Sequence, residues 1–245
     1  MTDSIYFDGL LNRERFTQQE LYDSFKKGGY KFGEAAFRKK TVEMVKNGEI
    51  IKIGRNLYCM SDDRVSYSYE YSSRSNEVAE LIKENYPYLD FTIFEFRQLN
   101  GFVNHLVAHN IIFLSVEADV VDFVFDTIKS EYPGMVLVNP SIEMFHQYWM
   151  DDMIVIGKLV TESPKGHDEK WHSRIEKFIV DIIAEPLLAG SISESEYPNI
   201  YENAFSQYII DEKTMFRYAK RRGMYNKIVK MIKDKTNIKL TEEGK

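Results

Sequence analysis

Three groups of residues in this sequence have types and spacings that chemistry can use. The first is Lys31, Ala35, Arg38, Lys39, Lys40, Arg55 and Asn56. Lys and Arg on one side of a helix reach phosphate oxygens or guanine edges, and a small residue such as Ala35 near the helix start lets the helix sink into a major groove. Arg55 is expected at a hairpin tip, where it suits a minor groove. These seven residues are the expected contacts to double-stranded DNA. Glu43 shares their helix face, would be repelled by phosphate, and is expected to point away from a duplex.

The second group is the basic tail. Arg217, Lys220, Arg221 and Arg222 form a dense patch, which Lys227, Lys230, Lys233 and Lys235 continue on a helix opposite Ile228, Met231 and Ile232. Such a tail suits a second DNA or RNA surface, a dock for an acidic part of the same chain, or a partner site. A basic amphipathic helix also suits a membrane surface, but no lipid-anchor motif accompanies this one.

The third group tests for catalysis and metals. His105 and His109 stand at i, i+4, but a zinc protease helix needs Glu after the first His, where this sequence has Leu106. His167 and His172 flank a charged loop with no carboxylate at a ligand spacing. A PD-(D/E)xK nuclease needs an acid on one strand and acid-x-Lys on the next, so that carboxylates hold Mg²⁺ beside a Lys. Asp151-Asp152 precede a strand, but Glu162-Ser163-Pro164-Lys165 sets acid and Lys one residue too far apart. An alternating strand would not put both on one face. There is no Gly-rich phosphate loop and no Gly-x-Ser-x-Gly, and Cys59 lies far from a plausible base. The expectation is no catalytic residue, no metal and no cofactor.

The elements that must position these groups follow from local pattern. Thr17 and Glu20 fit a capping box for a helix running through Leu21 and Phe25 to Gly28-Gly29. A second helix fits 34–47, with Phe37, Thr41, Met44, Val45 and Gly48 on one face and Asn47-Gly48 ending it. Residues 49–53 alternate, turn at Gly54-Arg55-Asn56 and return over 57–60 as a hairpin. That order is a winged helix-turn-helix, with 34–47 as recognition helix and the hairpin as wing. The Tyr/Ser-rich stretch 63–75 reads as a connector. Beyond it, helices over 75–85, 118–130 and 141–149 interleave with strands over 91–94, 111–116, 135–138 and 153–160, implying a parallel or mixed sheet. Helices then fit 169–185, 194–209, 211–222 and 224–235. The expected class is α/β (α+β), with a winged helix-turn-helix over 1–66 and a mixed α/β plus helical domain over 67–245.

The chain has 245 residues and a net charge of −6, which by itself argues against nucleic acid. The charge is unevenly placed: residues 1–62 carry net +2, 63–212 net −16, and 213–245 net +8. Local anion-binding surfaces are therefore compatible with the total. One cysteine excludes an internal disulfide, no run approaches about 18 apolar residues, and the first residues lack a signal-peptide pattern. A cytoplasmic setting is expected.

Several segments carry a resemblance to a known family. Gly54-x-x-x-Tyr58 closes the hairpin. Phe113-Leu114-Ser115-Val116-Glu117, Tyr148-Trp149 before Asp151-Asp152, and Leu159-Val160-Thr161-Glu162-Ser163-Pro164 follow. Ile175-Glu176-Lys177-Phe178-Ile179-Val180-Asp181 and Arg217-Tyr218-Ala219-Lys220-Arg221-Arg222 complete the set. Over most of the chain these are similar to the AbiE-type antitoxins of prokaryotic type IV toxin–antitoxin systems, although the helical C-terminal part is extended relative to that family. The resemblance implies a repressor of its own operon that counteracts a cognate nucleotidyltransferase-like toxin, without requiring a stable complex with it. It implies that the winged helix binds operator repeats and the C-terminal domain carries antitoxin activity. Arg38, Lys39, Lys40 and Arg55 match the recognition-helix and wing positions.

Two rivals stand beside it. One is a one-component regulator whose body senses a small molecule. The other is a metal-dependent nuclease of PD-(D/E)xK type built on Glu162 and Lys165.

Overall fold

The computed structural model describes residues 4–7, 10, 15–31, 33–47, 49–60, 64–103, 107–167 and 169–240. After a short 3-10 turn (Ser4–Phe7), β1 (Phe16–Thr17) leads into α1 (Gln18–Lys27). The Thr17 hydroxyl accepts the Glu20 N–H, and the Glu20 carboxylate accepts the Thr17 N–H at 2.7 Å. This reciprocal pair satisfies two donors that a helix start otherwise leaves open. Thr17→Ala is expected to lower stability by about 1 kcal/mol, read from the urea midpoint.

α2 (Glu34–Lys46) buries Phe37, Thr41 and Met44. Asn47 keeps a right-handed φ of −82°, and Gly48, expected to end the helix, lies outside the described residues. β2 (Ile50–Gly54) and β3 (Leu57–Met60) pair antiparallel, with Asn56 at φ 60° in the turn. Asn enters that left-handed region more readily than most residues. β1 pairs with the other edge of β3, giving the order β1-β3-β2. No sequence pattern marks β1, because two residues carry no alternation. Phe7, Phe16, Leu21, Phe25, Phe37, Met44, Ile50 and Tyr58 form the small core of this unit.

The expected connector is packed. Val65 bridges Tyr208, the Tyr67 ring lies within 6.1 Å of Phe102, Phe178 and Tyr208, and Tyr71 is buried. α3 (Ser73–Asn85) follows, capped by the Ser72 hydroxyl.

The body is a mixed α/β arrangement. β4 (Phe91–Glu95) pairs antiparallel with β5 (Ile111–Val116), and after α4 (Val121–Glu131), β6 (Val136–Val138) and α5 (Ile142–Gln147), β7 (Met153–Lys158) runs parallel between β5 and β6. The order is β4-β5-β7-β6. Burial on both faces explains why the central strands read as continuous apolar runs. α3 and α4 cover one face, over Val78, Ile82, Val124 and Ile128. The other face meets α5, α6 (Ile175–Ala184), α7 (Pro186–Ser191), α8 (Tyr197–Gln207), α9 (Glu212–Arg221) and α10 (Tyr225–Lys235).

The helix expected over 169–185 starts only at Ile175. Residues just before it are used by the open edge of β4: the Ile93 N–H donates to the Trp171 carbonyl at 2.8 Å, and the Ser173 hydroxyl donates to the Ile93 carbonyl. A sheet edge left without partners has unmet hydrogen bonds, and this demand outweighs the local helical pattern.

The core holds several tyrosines. Burial pushes Tyr71 and Tyr218 up to about 12 and Tyr201 well above its ordinary value. The folded chain thus keeps protons that the unfolded chain sheds above pH about 10. Stability from these groups is complete below that pH and falls as pH rises through about 12. At pH about 11 the expected loss is on the order of 1 kcal/mol each for Tyr71 and Tyr218, measured by urea unfolding alongside tyrosinate absorbance.

Candidate nucleic-acid interface

α2 turns one side to its own core and the other to solvent. With Phe37, Thr41 and Met44 inside, the positions Ala35, Lys39, Val42 and Lys46, at i, i+4, i+7 and i+11, fall on the opposite side. All four are exposed, Val42 at 70%. Arg38 is exposed on one flank, and Glu43 on the other also faces solvent. Lys31 is exposed just ahead of the helix. Lys40 departs from the expected contact set. Helical geometry turns it toward the core side, where it is half-buried with its Nζ 6.0 Å from the Phe25 ring.

The hairpin tip stands beside this helix. Arg55 and Asn56 share a cleft of about 360 Å³ with Glu34 and Arg38 of α2 and with Gln18, Gln19 and Tyr22 of α1. The fold therefore gathers Arg38, Arg55 and Asn56 at one place, with Lys39 on the adjoining exposed stripe. Sequence reading missed Val42 and the two glutamines. Val42 carried a detectable signal, being an apolar residue off the buried face. Gln18 and Gln19 carried none.

The basic tail is spent mostly on the body. Arg222 sits between two carboxylates, 3.3 Å from Asp181 and 3.0 Å from Glu185. Asp181 also takes the Lys177 ammonium at 2.6 Å and the Tyr218 hydroxyl at 3.0 Å. Burial opposes the charge on Lys177, and so does Arg222, but Asp181 and Tyr218 hold its pKa above the usual value. Arg217 and Arg221 both turn to Glu162, and Arg221 holds that exposed carboxyl below its usual range. Lys227 pairs with Glu194, and Lys220 lies over the Tyr225 ring at 4.7 Å. Lys230 stays exposed. Of the three uses open to the tail, docking on the acidic body describes most of these side chains.

The groups considered for metals and catalysis disperse. His105 lies outside the described residues, and 107–110, which include exposed His109, are not helical. His172 stacks on Tyr71 at 4.4 Å, while His167 is exposed. Glu162 sits in a turn at φ 61° beyond the end of β7, and Lys165 pairs instead with Asp90. Asp151 accepts from Arg97 and the Asn110 N–H, and Asp152 accepts from the Asn110 side chain. Cys59 is buried in the hairpin. Among the described residues no group of three or more His, Cys, Asp and Glu is arranged to hold a metal ion.

Fold and surface together define a mixed α/β chain whose small N-terminal unit presents an exposed basic helix beside a hairpin. The chain belongs to the DUF6577 family, a family of unknown function, which matches residues 36–238. That match runs from within α2 through the hairpin and the whole body. No curated protein matches the chain. Among solved structures, the crystal structure of the RV2827C protein from Mycobacterium tuberculosis is similar at 9% identity, covering 97% of this chain and 82% of that one with a TM-score of 0.23.

Proposed function

We propose that this chain is a DNA-binding repressor of its own operon that also acts as an antitoxin against a nucleotidyltransferase-like toxin. The observation that carries DNA binding is the solvent-facing stripe of Ala35, Lys39, Val42 and Lys46 beside the hairpin tip. On this reading residues 1–66 act as a winged helix-turn-helix. α2 enters the major groove, where Ala35 permits close approach, Lys39 and Arg38 meet guanine edges or phosphates, and Val42 meets a thymine methyl. Arg55 and Asn56 meet the adjoining backbone or minor groove. The antitoxin part is supported by the segments that resemble AbiE-type antitoxins, from Phe113–Glu117 to Arg217–Arg222. Repression and antitoxicity imply a cytoplasmic setting. Among the described residues no helix is long and apolar enough to cross a membrane.

The test is a fluorescence-anisotropy titration of the full chain on duplex DNA from upstream of its own reading frame, with an unrelated duplex beside it. Tighter binding to the upstream duplex with a steep fall in rising salt is the expected result. Equal, salt-insensitive binding to both overturns the reading. Co-expression with a nucleotidyltransferase from an adjoining reading frame tests the antitoxin part through growth rescue.

One observation favours the one-component regulator as a second reading. A cavity of about 440 Å³ opens at the carboxyl ends of β5, β6 and β7, lined by Ser115, Asn139, Lys158 and Arg222 over Phe94 and Phe113. Ligands of open α/β sheets gather at that end, and Asn139 there holds a strained φ of 41°. A metabolite that raises the melting temperature and shifts DNA affinity would favour this reading.

A further inference from the structure

The hairpin does not stand clear of the body. Ile51 and Cys59 are buried with Leu57 and Ile209 around them. The following segment is zipped to the body by the Val65 N–H donating to the Gln207 carbonyl and the Ile209 N–H donating to the Val65 carbonyl, each at 3.0 Å. Beside this seam lies a cleft of about 890 Å³, with Lys52 and Arg55 on the hairpin side and Lys213 of α9 on the body side. All three are exposed, and none has an ion pair among the described residues. The carboxylates in the same cleft are already engaged. Glu176 takes both bonds of Arg174 and the Asp211 N–H, and Asp211 caps α9 through Thr214. Four cations, Lys52, Arg55, Arg174 and Lys213, line this cleft against two carboxylates, Glu176 and Asp211, so its lining is net positive, with Glu176 bound to Arg174 and Asp211 held at the start of α9.

We propose that this cleft is a second phosphate-binding surface, carrying the backbone of bound DNA from the hairpin onto the body through Lys52, Arg55 and Lys213. The inference rests on the DNA-binding reading above. Arg55 makes the connection, because it lines both this cleft and the one shared with α2. A strand that leaves the α2 face therefore crosses its guanidinium and next meets Lys52 and Lys213. Contacts of this kind fix register and orientation and carry no sequence information directly. The acidic body thereby holds DNA at one local place despite its overall charge.

The experiment uses the full chain and the duplexes described above, with affinity followed across a salt series. Lys213→Ala should lower the slope of log K against log salt by about 0.9, and Lys52→Ala with Lys213→Ala by about 1.8. Affinity should weaken by similar factors on the upstream and unrelated duplexes. Lys129→Ala, an exposed lysine on α4, should leave the slope unchanged. Lys213→Gln, checked by circular dichroism, repeats the test with a longer polar side chain. A wild-type chain that binds no DNA overturns both proposals. A wild-type chain that binds while the double variant keeps its slope overturns this one alone, as does an equal slope loss in Lys129→Ala.

Discussion

Asp181→Ala is expected to lose about 3–5 kcal/mol of stability, read as a lower urea midpoint with unchanged slope. Asp181 is a buried carboxylate that receives Lys177, Tyr218 and Arg222 at once. Removing it leaves a fully buried ammonium with no counter-charge and takes one of two partners from Arg222. A domain of ordinary stability has about 5–15 kcal/mol in total, so much of the chain is expected in inclusion bodies at elevated temperature. The reason is the unpaired charge and not the lost attraction. Replacing the pair together, Lys177→Met with Asp181→Leu, should therefore recover at least half of the loss, because apolar groups of similar volume need no partner. A loss under about 1 kcal/mol for Asp181→Ala would mean that water enters the network and it stabilises little.

Lys39→Glu with Arg55→Glu is expected to weaken binding to the upstream duplex by roughly 30-fold to 10⁴-fold. The range corresponds to about 1–3 kcal/mol for each base or phosphate contact removed. Both side chains are exposed, so the melting temperature should stay close to wild type, which separates this effect from misfolding. The salt slope should fall as well, by about 1.8 if both side chains meet phosphates. Lys40→Glu offers a contrast. Its ammonium lies by the Phe25 ring, so its reversal should affect stability more than DNA affinity. Unchanged affinity and slope in the Lys39/Arg55 variant would remove the recognition role from α2.

Much of the fold was legible because local patterns carried it. Thr17 and Glu20 announce the start of α1 through a reciprocal bond confined to one turn. The spacing of Phe37, Thr41 and Met44 places α2, the apolar run 111–116 coincides with β5, and the strand expected over 153–160 is β7, which ends at Lys158. The candidate site was only partly legible. Basic residues at 38, 39 and 55 are visible as types, yet their mutual placement depends on how the hairpin folds back beside α2. Lys52 and Lys213 are far apart in the chain, and no spacing rule joins them. The tail's Arg and Lys left three uses open in the sequence, and only the folded partners Glu162, Asp181, Glu185 and Glu194 select docking on the body for most of them.

What the sequence determined alone is therefore the period of each element, its caps and the segregation of charge into a basic head, an acidic body and a basic tail. Those are properties of neighbours, which interact whatever the rest of the chain does. The tertiary structure decided which charges remain free. Arg222 is consumed by Asp181 and Glu185, and Arg217 and Arg221 by Glu162. It also decided that residues 171–173 serve the edge of β4 and do not extend α6. Each of these outcomes is a competition for a distant partner, settled by burial and by unmet hydrogen bonds. Local spacing does not encode such partners.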